Sequence, residues 1–233
     1  MARQIILCAD CEGTHRQLHD AVAAIERADI AVNFFFVGET ARSNPGIVRA
    51  VAERHQVESH TMTHTPLRGL QPEAQHREIM TGKDQVEQII GRPTHGFRAP
   101  CHAIDRRTVA ILNDEGFVFD VSGLYYRYDM GDVAEIRPTW FREWMPLYGR
   151  VGLTPRFAFR IFRLLFRLFD PLVIPLHPQY TALSPRHLDA FVEFTRWARD
   201  AGGEFVLIRD HLAARNHAYD PAVPITPRVH AIH

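Results

Sequence analysis

The segment His60-Thr61-Met62-Thr63-His64 holds two imidazoles at i, i+4 spacing. On a helix that spacing puts two side chains one turn apart, close enough to chelate a single ion. A second polar spot near the start of the chain, Asp10-Cys11-Glu12-Gly13, could complete a three-ligand site. Two histidines and one carboxylate leave positions open on a metal, and hydrolysis needs an open position. If these groups meet in space, the chain is a metal-dependent hydrolase. Each piece alone also has an ordinary reading. Surface histidine pairs are common, and Asp10 or Thr14 could cap a following helix. Thr14 can cap without either acid, so a cap does not account for both carboxylates. In an extended segment Asp10 and Glu12 point one way and Cys11 the other.

The elements that must carry these groups alternate between strand and helix patterns. Residues 4–9 form an apolar strand ending at Asp10, and residues 16–28 space Leu18, Val22, Ile25 and Ala28 along one helical face. A second strand, 31–37, is stopped by Gly38. Pro45 suits the first turn of a helix through about Arg54, and the short strand Gln56-Val57-Glu58 leads into the histidine pair. Pro72 opens a helix to about Ile90, with Gly91 as its C-cap. Residues 95–98 lead into the turn Arg98-Ala99-Pro100-Cys101. A helix over about 104–114 and strands at 117–121 and 133–136 follow. A long helix over about 155–169 precedes the strand Leu172–Leu176. A helix of about 184–201, the strand Glu204–Ile208 and a short helix complete the pattern.

Repeated β-α order implies parallel strands joined by right-handed crossovers. Seven or so units over this length fit an α/β fold of the distorted (β/α)7–8 TIM-like barrel type, a single domain over 1–216. The stretch 217–233, with Pro221, Pro224 and Pro227, reads as an extended tail. Asp10, Glu12, His60, His64, Arg98, Asp120 and His177 all follow or end a strand. In a parallel barrel such ends share one face, where active sites are built.

Composition limits the alternatives. The 27 basic residues balance the 27 acidic ones, so no global field draws the chain to nucleic acid. Three cysteines argue against a disulfide framework and for a reducing compartment. The apolar run Ile5–Ala9 is too short for a signal-peptide core, and no run approaches the ~20 apolar residues of a membrane span. The expected location is cytoplasmic.

In this order the residues resemble the polysaccharide deacetylases, carbohydrate esterase family 4 with its NodB-homology domain. The acidic pair Asp10-Cys11-Glu12 resembles the family's first motif, and His60-Thr61-Met62-Thr63-His64 matches its His-Ser/Thr-x-x-His. Arg98-Ala99-Pro100 matches Arg-x-Pro, Asp120-Val121-Ser122 resembles a fourth motif, and Leu176-His177-Pro178 matches the Leu-His of the fifth. Asn33–Gly38 echoes the family's preceding strand. The resemblance covers roughly residues 4–212. It departs from the usual pattern in two places: the acids are not adjacent, with Glu12 standing where an aspartate is usual, and Cys101 replaces an aromatic residue.

The resemblance implies one divalent ion, usually zinc, held by Glu12, His60 and His64. Asp10 would be the general base on the metal-bound water and His177 the acid that protonates the leaving amine. Arg98 would hold Asp10 ionised, and Asp120 would orient either Arg98 or His177. Pro100, Cys101 and Leu176 would lie on the substrate side, with the Cys101 N–H at the oxyanion. The implied activity is hydrolysis of an N-acetyl or N-formyl group on an amino sugar or glycoconjugate. Two other readings keep the fold: an allantoinase-like amidohydrolase acting on a small cyclic amide or ureide, and a sugar-binding relic without catalysis. The relic predicts missing proton-transfer groups, whereas Asp10 and His177 are both present.

The helix expected at 155–169 carries Arg156, Arg160, Arg163 and Arg167 at spacings of 4, 3 and 4 among otherwise apolar residues. One reading is an interfacial helix that meets anionic lipid or a lipid-linked sugar. The other is a barrel helix whose apolar face packs inward while the arginines face water. The barrel expected from the rest of the chain favours the second.

Overall fold

The segment Arg3–Cys11 is apolar on both faces, which suits a strand covered on both sides. It forms β1, with Ile5, Leu7 and Ala9 packed towards helices and Ile6 and Cys8 towards the interior of the sheet. The computed structural model describes residues 2–124, 127–143 and 146–215. On one side of β1 lie β2 (Asn33–Phe36), β3 (Gln56–Ser59), β4 (Gly96–Phe97), β5 (Phe119–Asp120) and β6 (Ala134–Glu135), in that order. On the other side lies β7 (Leu172–Leu176), and β8 (Gly203–Phe205) pairs with the first residues of β1. All pairings are parallel.

The helices are α1 (His15–Ala28), α2 (Gly38–Ser43), α3 (Pro45–Ala52), α4 (Pro72–Ile90), α5 (Arg106–Asp114), α6 (Pro146–Arg150), α7 (Pro155–Leu165), α8 (Pro178–Thr181), α9 (Pro185–Asp200) and α10 (Ile208–Ala213). Their ends follow local chemistry. Thr14 caps α1 in a capping box with Gln17, so neither Asp10 nor Glu12 is used as a cap. Proline opens α3, α4, α7 and α9, and Gly91 closes α4 at φ 69°. Several boundaries differ from expectation: the strand expected over Glu204–Ile208 is Gly203–Phe205, with Ile208 opening α10, and the strands expected at 31–37 and 117–121 are shorter. Gly38 begins a short helix rather than only stopping a strand, and α7 ends at Leu165 with residues 166–168 in a turn.

The result is the expected distorted (β/α) barrel. Among the described residues no strand ladder joins β6 to β7. The seam is bridged by the Thr139 N–H donating to Val173 O at 2.9 Å. Phe34, Phe36, Phe162, Phe191 and Phe194 are fully buried between sheet and helices, each contributing about 1.5–3 kcal/mol of burial. Asn33 ties the closing segment to β1: its amide donates to Leu7 O at 3.0 Å and its carbonyl accepts from Ile208 N at 2.8 Å. Among the described residues no helix is long and apolar enough to cross a membrane. The tail expected from 217 onward lies outside the described residues.

Candidate active site

Strand register brings the polar groups to one level. Cys11 pairs with Phe36, Phe36 with Ser59, Ser59 with Phe97 and Phe97 with Asp120. His60 and Arg98 therefore leave adjacent strands one residue past the same row. On the other side Ala9 pairs with Leu176, which sets His177 beside Asp10. The two side chains meet at 3.5 Å, His177 Nε2 to Asp10 Oδ2.

Arg98 is the hub. It is 1% exposed, and its Nε donates to Asp10 Oδ1 at 2.5 Å. Its Nη1 donates to Val121 O at 2.7 Å and its Nη2 to His102 Nε2 at 3.4 Å. Accepting at Nε2 leaves the His102 proton on Nδ1, which faces Ser122 O at 3.3 Å. Burial and the Arg98 charge push His102 down to about 3, so it stays neutral. Burial opposes an ionised Asp10, but Arg98, His60 and His177 outweigh it and hold the carboxyl well below the usual carboxylate range. Asp10 is therefore a buried proton acceptor at neutral pH.

The two histidines of the pair do not sit on a helix. They leave β3 on a loop in which Thr61 and His64 have φ values of 64° and 63°. Neighbouring segments pin that loop. Gly38 N–H donates to Thr61 O at 2.9 Å, Met62 N–H to Glu78 O at 2.9 Å, and Thr63 N–H to the Glu78 carboxylate at 3.0 Å. Gly82, in the middle of α4, allows the close approach: a Cβ there would lie 2.4 Å from Thr61 C. The loop brings the rings to 5.0 Å between centroids.

His60 Nδ1–H donates to Arg98 O at 2.7 Å, and Nε2 is buried without a partner. Burial, aided by His64 and Arg98 and opposed by Asp10, pushes the His60 imidazole down to about 4. At neutral pH its Nε2 thus presents a free lone pair, and a backbone carbonyl on the far nitrogen is the usual support of a metal-ligating histidine. His64 Nε2 meets Glu12 Oε2 at 2.6 Å, and Gln179 Nε2 donates to Glu12 Oε1 at 2.7 Å. Among the described residues no three His, Cys, Asp or Glu side chains form a group arranged to hold a metal ion. Glu12 and His64 satisfy each other instead. The donors themselves, two imidazoles and a carboxylate, are a set that suits zinc, and Glu12, His60 and His64 are the residues that could hold it.

His177 has a partner that the sequence reading missed. Glu143, 1% exposed, accepts from the His177 backbone N–H, and its carboxylate lies 3.3 Å from Nδ1. Burial pulls the His177 pKa down, but Glu143 and Asp10 raise it above the ordinary histidine value. Glu143 comes from the irregular stretch after β6, where no periodicity marks a buried acid.

Asp120, expected to orient Arg98 or His177, hydrogen-bonds neither. Phe119 and Val121 join the interior cluster, so strand alternation turns Asp120 to the other face. Its carboxylate accepts from Ser122 N–H at 2.9 Å and Ser122 Oγ at 2.6 Å, and Ser122 Oγ accepts from Ala99 N–H at 2.7 Å. Asp120 thus supports the turn after Arg98. Leu176 also departs from expectation. It is buried in the helix-side core, on the opposite face of β7 from His177, and does not line the substrate side. Pro100 is buried at the start of a short 3₁₀ turn, and the exposed Cys101 follows at φ 55°.

The family model described as polysaccharide deacetylase matches residues 3–119. A peptidoglycan deacetylase-like protein of Gibberella zeae is 26% identical over 132 residues, covering 51% of this chain but only 39% of its own length. Among solved structures, a putative polysaccharide deacetylase from Mycobacterium smegmatis superposes with TM-score 0.75 at 17% identity, covering 98% of this chain and 96% of that one. A CE4-family pseudoenzyme from Bacillus anthracis superposes with TM-score 0.68 at 13% identity, covering 90% of this chain and 65% of its own.

Proposed function

Because the chain belongs to the polysaccharide deacetylase family, we propose that it is a hydrolase that removes an N-acetyl or N-formyl group from an amino sugar or sugar conjugate. The observation that carries this reading is Asp10 buried between Arg98 and His177, next to a histidine whose Nε2 lone pair has no partner. In the same reading Glu12, His60 and His64 hold one divalent ion, most suitably zinc. Such an ion polarises a carbonyl and makes water more acidic.

The chain's own groups account for the proton transfers. Water adds to the acyl carbon and loses a proton to Asp10, which Arg98 keeps ionised and aimed. The C–N bond then breaks, and the leaving nitrogen takes a proton from His177 Nε2. Glu143 stabilises the charged form of His177 that makes this donation. The products are the free amine and a carboxylate. Asp120 and His102 act as positioning residues for the Arg98 turn and the Arg98 guanidinium. A family pseudoenzyme with this fold means that fold alone does not establish activity, and the retained Asp10–Arg98–His177 constellation favours a working enzyme over a sugar-binding relic.

The test is acetate or formate release from a panel of N-acyl sugars, with cyclic amides and ureides included. Release from an N-acyl sugar that stops on chelation and returns with zinc supports the proposal. Release that persists in chelator removes the metal, and turnover of the cyclic substrates alone moves the chain to the amidohydrolase reading.

A further inference from the structure

We propose that the outer face of α7 and the turn after it docks on an anionic lipid surface. Between Arg137 and Phe169 the sequence holds seven arginines and one acid, Glu143, although the whole chain is formally neutral. Glu143 is buried against His177, so it does not offset the arginines at the surface. Arg137 and Arg156 pair with Glu135 and Glu193, so the cationic excess of this stretch rests on its other arginines.

The same stretch exposes apolar side chains. Among the described residues every exposed large hydrophobic except Leu183 falls between Trp140 and Phe169. The expectation that α7 buries its apolar residues and turns only arginines to water is half met. Ala158, Phe159, Phe162 and Leu165 pack inward. Phe157, Leu164 and Leu168 remain 39%, 55% and 67% exposed. Phe157 and Leu164, seven apart on α7, share one stripe, and Arg160 lies on the stripe beside it; Arg167 and Leu168 follow in the turn after the helix. Arg156 is held by Glu193 at 2.7 Å, and Arg163 lies over the Trp197 ring at 5.1 Å. Arg160 and Arg167 have no ion pair among the described residues, and both are exposed.

Bulky apolar groups beside unpaired arginines suit the boundary between acyl chains and anionic headgroups. A second copy of the chain is a poorer occupant, because face-to-face pairing would oppose like charges. Only one short stripe can insert, so binding should be reversible and salt-sensitive. α7 leads directly to β7 and His177, which would hold the barrel beside the surface.

The test is flotation of the full chain with phosphatidylcholine vesicles, with and without phosphatidylglycerol, at low and raised salt. Wild type should float with the anionic vesicles only, and less at raised salt. Arg160→Gln/Arg167→Gln should weaken partitioning roughly thirty-fold, and Phe157→Ser/Leu164→Ser/Leu168→Ser should also lose it. Arg49→Gln, outside the face, should not. Circular dichroism of each variant checks folding. No flotation of wild type with anionic vesicles at low salt overturns the proposal. So does equal binding to neutral vesicles, binding that survives both variants, or concentration-dependent dimerisation without vesicle binding.

Discussion

Replacing Arg98 by methionine removes the cation that the buried Asp10 depends on. Arg98 and Asp10 have side chains 1% and 6% exposed, and the guanidinium also satisfies Val121 O and His102 Nε2. Breaking one half of a buried pair of this kind costs about 3–5 kcal/mol. For a domain of this size that is roughly 6–20 °C in Tm. The pH dependence is the sharper signature. With Arg98 gone, burial dominates at Asp10 and its folded pKa rises above the unfolded value of about 3.9. The folded variant then binds more protons than the unfolded chain between that value and the raised pKa. Its stability falls as pH rises through this window. Urea unfolding followed by tryptophan fluorescence should show a larger deficit at about pH 8 than at about pH 5. Adding Asp10→Asn to Arg98→Met should restore part of the loss. A deficit below about 1 kcal/mol at the higher pH, or one that neither pH nor the second substitution changes, would refute the reasoning.

Glu143→Gln should lower the His177 pKa, so the alkaline limb of the pH–rate profile moves to lower pH while the acidic limb stays; an unmoved alkaline limb would remove Glu143 from the proton transfer. The stability that the raised His177 pKa contributes below the unfolded histidine value, and that fades as pH rises through the folded one, should shrink in the same variant. Gly82→Ala gains up to about 1 kcal/mol of helix propensity yet forces a methyl into the Thr61 backbone. It should lose about 1–3 kcal/mol net by urea unfolding and weaken zinc binding in a competition titration. Ser122→Ala strands the Ala99 N–H and removes the hydroxyl bond to the Asp120 carboxylate, whose pKa burial already pushes up to about 6, while the Ser122 backbone N–H still donates to it. It should cost about 1–3 kcal/mol in the same unfolding assay.

The barrel was legible because alternating apolar strands and amphipathic helices leave few other parallel arrangements. The meeting of Asp10, Arg98 and His177 followed from their shared place at strand ends. The loop that carries the histidine pair was not legible, because two left-handed residues and contacts from α2 and α4 shape it and the i, i+4 spacing reports neither. Leu176 and Asp120 were placed on the site although strand alternation turns them away from it. Glu143, His102 and Gln179 were invisible for a different reason. Glu143 comes from an irregular stretch, His102 from a 3₁₀ turn and Gln179 from the four-residue α8, all too short for a period to report which way a side chain points. The exposed stripe on α7 lay outside what pattern alone decides, since the same arginine spacing fits a helix packed on either face.

The central claim is that Asp10 takes the proton while Glu12, His60 and His64 hold the ion. Acyl release by wild type and Asp10→Asn, loaded to equal zinc content measured on the same samples, separates the two roles. Asp10→Asn should keep its zinc and lose release by on the order of a hundredfold or more. Undiminished release from the zinc-loaded variant would contradict it.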